Sequence, residues 1–226
     1  MKEPVSSNAG HRGRLRRRFL DRGIGSLHEH EALELLLTFA IPRRDVKALA
    51  KALLNRFGSF SGVLDASEYD LTGFDGIGEN AAALILLVKA AGSLYLEQRI
   101  HNVSLMDSVN ACADFVRMKL GCGGKETMLV MFLNRQYHLL GYGCIAGTID
   151  QAAVYPREIL EQCMRYHATA VMLAHNHPSG ICSPSEDDVR LTLTIRDLLR
   201  GANIELLDHL LVTPYDWMSL KEHHLI

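Results

Sequence analysis

The segment Ala174-His175-Asn176-His177-Pro178 sets two imidazoles two residues apart at the end of an apolar stretch, Ala170 to His175. That stretch reads as a strand, and on a strand residues i and i+2 face the same side. The two rings then stand side by side, at a spacing suited to one tetrahedral cation. Pro178 and Gly180 turn the chain, and Asp188 returns in the first turn of the next predicted helix, where it can give a third, oxygen ligand. Two histidines and a carboxylate leave a fourth position open, which is the arrangement of catalytic rather than structural zinc. The same residues admit a second explanation. Ser185 and Asp188 stand three apart, as an N-cap residue and its partner do in a capping box with Asp in place of Glu. H-x-H alone is a weak signature. His28-Glu29-His30 repeats it at the start of a helical stretch, where positions i and i+2 do not share a face. Those two histidines are expected at the surface.

Other elements must position these groups. Ser108 is placed to cap a helix that runs to Leu120 and ends at Gly121, Gly123 and Gly124. Thr127 to Asn134 and Tyr137 to Tyr142 read as strands joined by a short turn. Pro156 opens a helix to Tyr166, where its missing N–H is harmless. Glu186 to Arg200 is a helix closed by Gly201, and Ile204 to Val212 is a last strand. Strands mixed with helices predict an α/β (α+β) domain over residues 107–226. Asp208-His209 on the last strand is expected to be a strand-edge pair, with an orienting role behind the metal as the alternative. His167, His223 and His224 carry no usable pattern.

The first half reads differently. Glu31 to Ala40 is apolar on a helical period and stops before Pro42. Asp45 can cap a helix from Val46 to Phe57, with Gly58 at its C-terminal end. A third helix, Glu79 to Gln98, follows a glycine-rich turn. Residues 23–98 are therefore expected to form a small all-α domain, 99–106 a linker and 1–22 a basic arm, mobile or only partly helical. That arm holds seven Lys/Arg against Glu3 and Asp21, whereas residues 101–226 hold ten basic and fourteen acidic residues. A local basic arm on a chain of net charge −2 can touch phosphate or simply solubilise.

Composition narrows the class. Apolar residues are 48% of the 226 and charged residues 22%, as in globular proteins. No apolar run approaches the roughly 18–20 residues that span a bilayer. The longest, Ala81 to Val88, is followed by Lys89 and reads as a buried helix. No signal-peptide pattern is present. Five cysteines, an odd number with no C-x-x-C, argue against disulfides and against a cysteine-built zinc site. A reducing cytoplasm is the expected setting, with no membrane partner.

His-x-His-Pro followed by Ser-x-x-Asp, at His175, His177, Pro178, Ser185 and Asp188, resembles the motif of the JAB/MPN (JAMM) metalloprotease family. The run HNHPSG with PSxxD, together with Gly147 to Asp150 (GTID) and Pro156 to Glu158 (PRE), is similar to its bacterial RadC branch, and the resemblance covers about residues 10–226. It implies a cytidine-deaminase-like mixed sheet flanked by helices, a zinc ion on His175, His177 and Asp188, and hydrolysis of an amide bond in a protein or peptide. It also implies a general base, for which Glu126 matches by its place before the strand at Thr127. Glu158 is the rival, although a carboxylate in the first turn of a helix already has a reason to be there. Ser185 is implied to stabilise the developing oxyanion.

Leu71 to Gly78 (LTGFDGIG) before an alanine-rich helix resembles a helix-hairpin-helix, which offers glycine N–H groups to a DNA phosphate. Gly76 and Gly78, with Arg14, Arg16, Arg17 and Arg18 of the arm, are the expected DNA contacts. Against this stands Glu79, where DNA-binding copies commonly carry a base. RadC-like proteins are named for DNA repair. The alternative function is thus a DNA-binding repair or recombination factor, either a metal-dependent nuclease or a catalytically silent metal-binding protein.

Overall fold

The computed structural model describes residues 7–101, 103–105, 107, 109–120, 125–146 and 156–226. The cap expected at Ser108, the glycines 121, 123 and 124, and the GTID segment lie outside them. The chain divides into two compact units, Met1–Ala91 and Gly92–Ile226.

The first unit is helical: α1 (Ser7–Arg22), a 3-10 turn at Ile24–Ser26, α2 (Glu29–Ala40), α3 (Lys47–Phe57), α4 (Phe60–Asp65), α5 (Glu68–Thr72) and the start of α6 (Glu79–His101). Local chemistry sets the boundaries. Asp45 Oδ1 accepts from the Lys47 N–H, and Ser59 and Ser67 cap α4 and α5 through their hydroxyls. Gly58 closes α3 at φ 83°, a conformation glycine adopts without strain. Leu33, Leu37, Leu53, Val63, Leu71 and Ile85 fill the core between these helices.

The basic arm is helical over Ser7–Arg22, the part of it that the structure describes. Arg12, Arg18 and His11 turn to α2 and the segment after it, while Arg14, Arg16, Arg17 and Arg22 stay exposed. Arg12 donates to the carbonyls of Ile41, Pro42 and Arg44, in the segment that joins α2 to α3. Arg18 pairs with Glu31, and His11 Nε2 lies 3.0 Å from the buried Glu34. The hydrogen bond from Arg18, aided by the His28 N–H, lowers the Glu31 pKa to about 2. A carboxylate depressed on folding stabilises above its unfolded pKa and loses that contribution as pH falls. Between pH 4.5 and 2, wild type should therefore lose up to about 1 kcal/mol that Glu31→Gln never had, the bound set by the part-exposed Arg18. Melting temperatures measured down this range should converge. A constant gap would remove the ion pair from the account.

Helix α6 runs on through Ile100 to His101, where the loss of helical period suggested a linker. The period fades because the helix serves two cores in turn. Ala81, Ala82 and Ile85 are buried in the first, and Ile100 in the second. By length and composition alone, α6 is the one described helix that could cross a bilayer, a test that core helices also pass. Lys89 in its middle pairs with Asp65 at 2.7 Å.

The second unit is an α+β fold on a five-stranded mixed sheet, ordered β2-β1-β3-β4-β5: β1 (Thr127–Leu133), β2 (Leu139–Ala146), β3 (Ala170–Asn176), β4 (Glu205–Val212) and β5 (Trp217–Ser219). Strands β3 and β4 are parallel and the other pairs antiparallel. Alternation along the strands sorts their side chains. Leu129, Met131, Met172 and Ala174 pack with Phe115 and Val116 of α7 (Val109–Leu120). Met128, Val130, Phe132, Val171 and Leu173 pack on the other face, with Ile159 of α8 (Pro156–Tyr166) and Ile195 of α9 (Glu186–Gly201). α8 lies close on β2. A Cβ added at Gly141 would sit 2.5 Å from the Tyr166 ring, which stacks on Phe132 at 4.7 Å.

Candidate metal centre

Strand β3 is buried along its whole length, so both of its faces are packed and its C-terminal end is fixed. His175 follows Leu173 onto the α9 face, and His177, just past the strand, stays on that side. Their rings lie 4.8 Å apart, with the two Nε2 atoms at 3.1 Å. Asp188, in the first turn of α9, brings Oδ1 to 3.4 Å from His175 Nε2 and Oδ2 to 3.6 Å from His177 Nε2. All three residues are buried, and theirs is the one group of three such side chains gathered closely enough for a metal among the described residues.

Each side chain is held from behind. His177 Nδ1 meets the Ile181 carbonyl at 3.0 Å, and His175 Nδ1 meets His209 Nε2 at 2.8 Å. Asp188 Oδ2 accepts from both the N–H and the hydroxyl of Ser185, each at 2.7 Å, while Ser185 Oγ accepts from the Asp188 N–H. This is the capping box read from the sequence, and it coexists with the histidine cluster. It occupies one carboxylate oxygen and leaves Oδ1 buried without a hydrogen-bond partner. A buried carboxylate oxygen with no donor is costly unless a cation faces it. Burial alone would raise the Asp188 pKa, but the two histidines override it and hold the carboxyl well below the usual range. The same contact raises His177.

Glu126 stands immediately before β1. Asn176, between the two histidines and facing the opposite side, grips that segment. Its Oδ1 accepts from the Thr127 N–H at 2.8 Å, and its Nδ2 donates to the Lys125 carbonyl at 3.2 Å. The two bonds bracket Glu126, whose charge reaches His177 and adds to the rise in its pKa. Glu158 is exposed in the first turn of α8. Beside Ser185 opens a cavity of about 680 Å³, lined by Cys182, Pro184, Val189, Trp217 and Leu225 among others.

A family model described as the RadC-like JAB domain matches residues 106–225, and one described as UPF0758 N-terminal matches residues 8–83. The chain belongs to the RadC-like family. A UPF0758 protein of Fusobacterium nucleatum is 35% identical to this RadC-like chain over 97% of it and 98% of the relative. UPF0758 proteins of Burkholderia mallei and Burkholderia pseudomallei are each 38% identical over 95% of the chain and 78% of their own lengths. These matches span both units of the RadC-like protein.

Two sequence expectations fail within it. His28 and His30 do share a side, with rings stacked at 5.9 Å. His28 is the N-cap residue of α2 with extended backbone, so the rotation of a helix does not separate it from His30. The Asp208-His209 pair is not at a strand edge. β4 lies between β3 and β5, both residues are buried, and they part to opposite faces. Asp208 accepts from the Ser219 hydroxyl at 2.6 Å, while His209 lies against His175. Thr192, one turn beyond Asp188 on α9, meets His209 Nδ1 at 2.6 Å. Sequence reasoning missed Thr192 and Asn176. The signal for Thr192 was its i+4 spacing from Asp188, which puts both on one helix face.

Proposed function

We propose that this RadC-like protein is a zinc-dependent hydrolase of the JAMM type, acting on amide bonds of protein or peptide substrates. The observation that carries this reading is the buried convergence of His175 Nε2, His177 Nε2 and an unpartnered Asp188 Oδ1. The donor set of two imidazoles and one carboxylate suits zinc with an open position. Zinc bound by these three residues would supply Lewis acidity and bring the pKa of a bound water to about 7.

The chain's own groups do the rest. Glu126 takes a proton from the attacking water onto its carboxylate and gives it to the departing nitrogen. Asn176 holds that carboxylate's backbone in place through Lys125 and Thr127. Ser185 orients Asp188. Its single hydroxyl hydrogen is committed to Oδ2, so it serves a developing oxyanion only by giving up that bond. The cavity beside Ser185 gives an extended peptide room against Trp217 and Leu225. The reading is tested by Glu126→Gln, which should retain zinc while losing hydrolysis of peptide or isopeptide substrates. Loss of zinc together with activity, or loss of neither, would sink the assignment.

A second reading, DNA binding by the N-terminal unit, is supported by Arg44. Gly76 adopts φ 92°, and a Cβ there would lie 3.6 Å from the Arg44 guanidinium. A cation thus stands beside the hairpin that Glu79 seemed to leave without one. Arg14, Arg16, Arg17 and Arg22 are exposed on α1, whereas Arg18 is engaged with Glu31. With about four phosphate contacts, affinity for duplex DNA should fall about 100-fold between 50 and 200 mM salt. Arg44→Ala should make that slope shallower by about one. Absent or salt-independent binding would remove this reading.

A further inference from the structure

We propose that Thr192 and His209 form a tautomer relay that leaves Nε2 of His175 unprotonated and aimed into the cluster with His177 and Asp188. The proposal rests on the metal-site reading above and assigns positioning roles to two residues behind it.

The argument follows the hydrogens. Thr192 Oγ1 lies 2.6 Å from the Asp188 carbonyl and 2.6 Å from His209 Nδ1. A carbonyl oxygen only accepts, and a hydroxyl has one hydrogen. That hydrogen therefore goes to Asp188 O, and Thr192 must accept from His209. The proton of His209 is then on Nδ1. The His209 ring is fully buried, and its ring nitrogens meet Thr192 and His175 with no carboxylate on either, so a second proton would be an unpaired buried charge. Nε2 of His209 is consequently an acceptor. His175 Nδ1, 2.8 Å away, is its donor, and Nε2 of His175 keeps a bare lone pair. The Ile181 carbonyl imposes the same outcome on His177 in a single step.

The relay joins α9, β4 and β3, and it ends on the backbone of the residue that supplies the carboxylate. The turn of α9 that places Asp188 thus also sets the tautomer of the histidine opposite it. With both histidines neutral, their Nε2 lone pairs and Asp188 Oδ1 converge as three acceptors; the depression of the Asp188 pKa described above belongs to the histidines' protonated forms, which donate from Nε2. Such a cluster is arranged for a cation. Outer partners of this kind typically change metal affinity about 10–100-fold when removed.

Nitrogen-15 NMR of the imidazoles tests the relay on metal-free protein above pH 8, where no activity or metal is needed. In wild type, neutral His175 should carry its hydrogen on Nδ1. In His209→Leu, and in the near-isosteric Thr192→Val, the Nε2–H form of His175 should appear. Thr192→Val is the informative case, because Thr192 does not touch His175 and the change must pass through His209. In zinc titrations the two variants should bind 10–100-fold more weakly. His209→Gln, which keeps an acceptor oxygen, should recover most of the loss. An unchanged His175 tautomer in both variants overturns the relay, as does equal loss of zinc affinity in His209→Gln and His209→Leu. If wild type takes up no zinc, the hydrolase reading fails and the tautomer measurement still decides the relay.

Discussion

Glu126→Gln is expected to lower kcat/KM for amide hydrolysis by about 10²–10⁴-fold, or about 3–5 kcal/mol of transition-state stabilisation. The substitution keeps the size of the side chain and removes only its capacity to take a proton. Glu126 is no member of the buried cluster, so zinc content should stay at the wild-type level. Its position is set through the backbone by Asn176, and that grip survives the change because it involves Lys125 O and Thr127 N. Stability should therefore move by no more than about 0.5 kcal/mol, as for surface substitutions. The combination is diagnostic: activity lost, metal kept, fold kept. Glu158→Gln serves as the control and should leave turnover unchanged, since that residue is exposed on α8. A reversed pattern would transfer the base to α8.

The convergence of His175, His177 and Asp188 was legible because its geometry is local. His175 and His177 are brought to one side by the alternation of a strand, and Asp188 by the first turn of the next helix. Both rules operate within a few residues. What lay behind the cluster was not legible, because it depends on pairing between strands. β4 pairs with β3 through a bulge in which Val171 faces Leu206 and Met172 faces Asp208, so Leu207 is an extra residue. Leu206 packs on the α9 side and Leu207 on the α7 side. Strict alternation from there would send His209 toward α7. The bulge reverses the order and turns it to His175. Nothing in the period of ELLDHLLV announces the extra residue.

The N-terminal half shows a related limit. Helices α2 and α3 were legible from apolar period, Pro42, Asp45 and Gly58. α1 was not, because its arginines look like a solvated run until α2 supplies the Ile41 and Pro42 carbonyls and Glu31. α6 was cut short at Gln98 because a helix that serves two cores has no single apolar stripe. Its last buried residue, Ile100, belongs to the second of them.

Zinc content of the purified protein after metal-replete dialysis tests the central claim most directly, with wild type compared with His177→Ala. His177 is the suitable ligand to remove, since among the described residues its ring makes one hydrogen bond outside the cluster, to the Ile181 carbonyl, and its backbone bonds survive the change. His175→Ala would strand His209, and Asp188→Ala would break the α9 capping box. Loss of one of three protein ligands should reduce occupancy from about one zinc per chain to trace. It should also abolish the stabilisation by free zinc, about 2.7 kcal/mol at a hundredfold excess over Kd. One equivalent of zinc in wild type and none in His177→Ala is the predicted result. A wild-type protein without stoichiometric zinc, or a His177→Ala protein that retains it, would contradict the account.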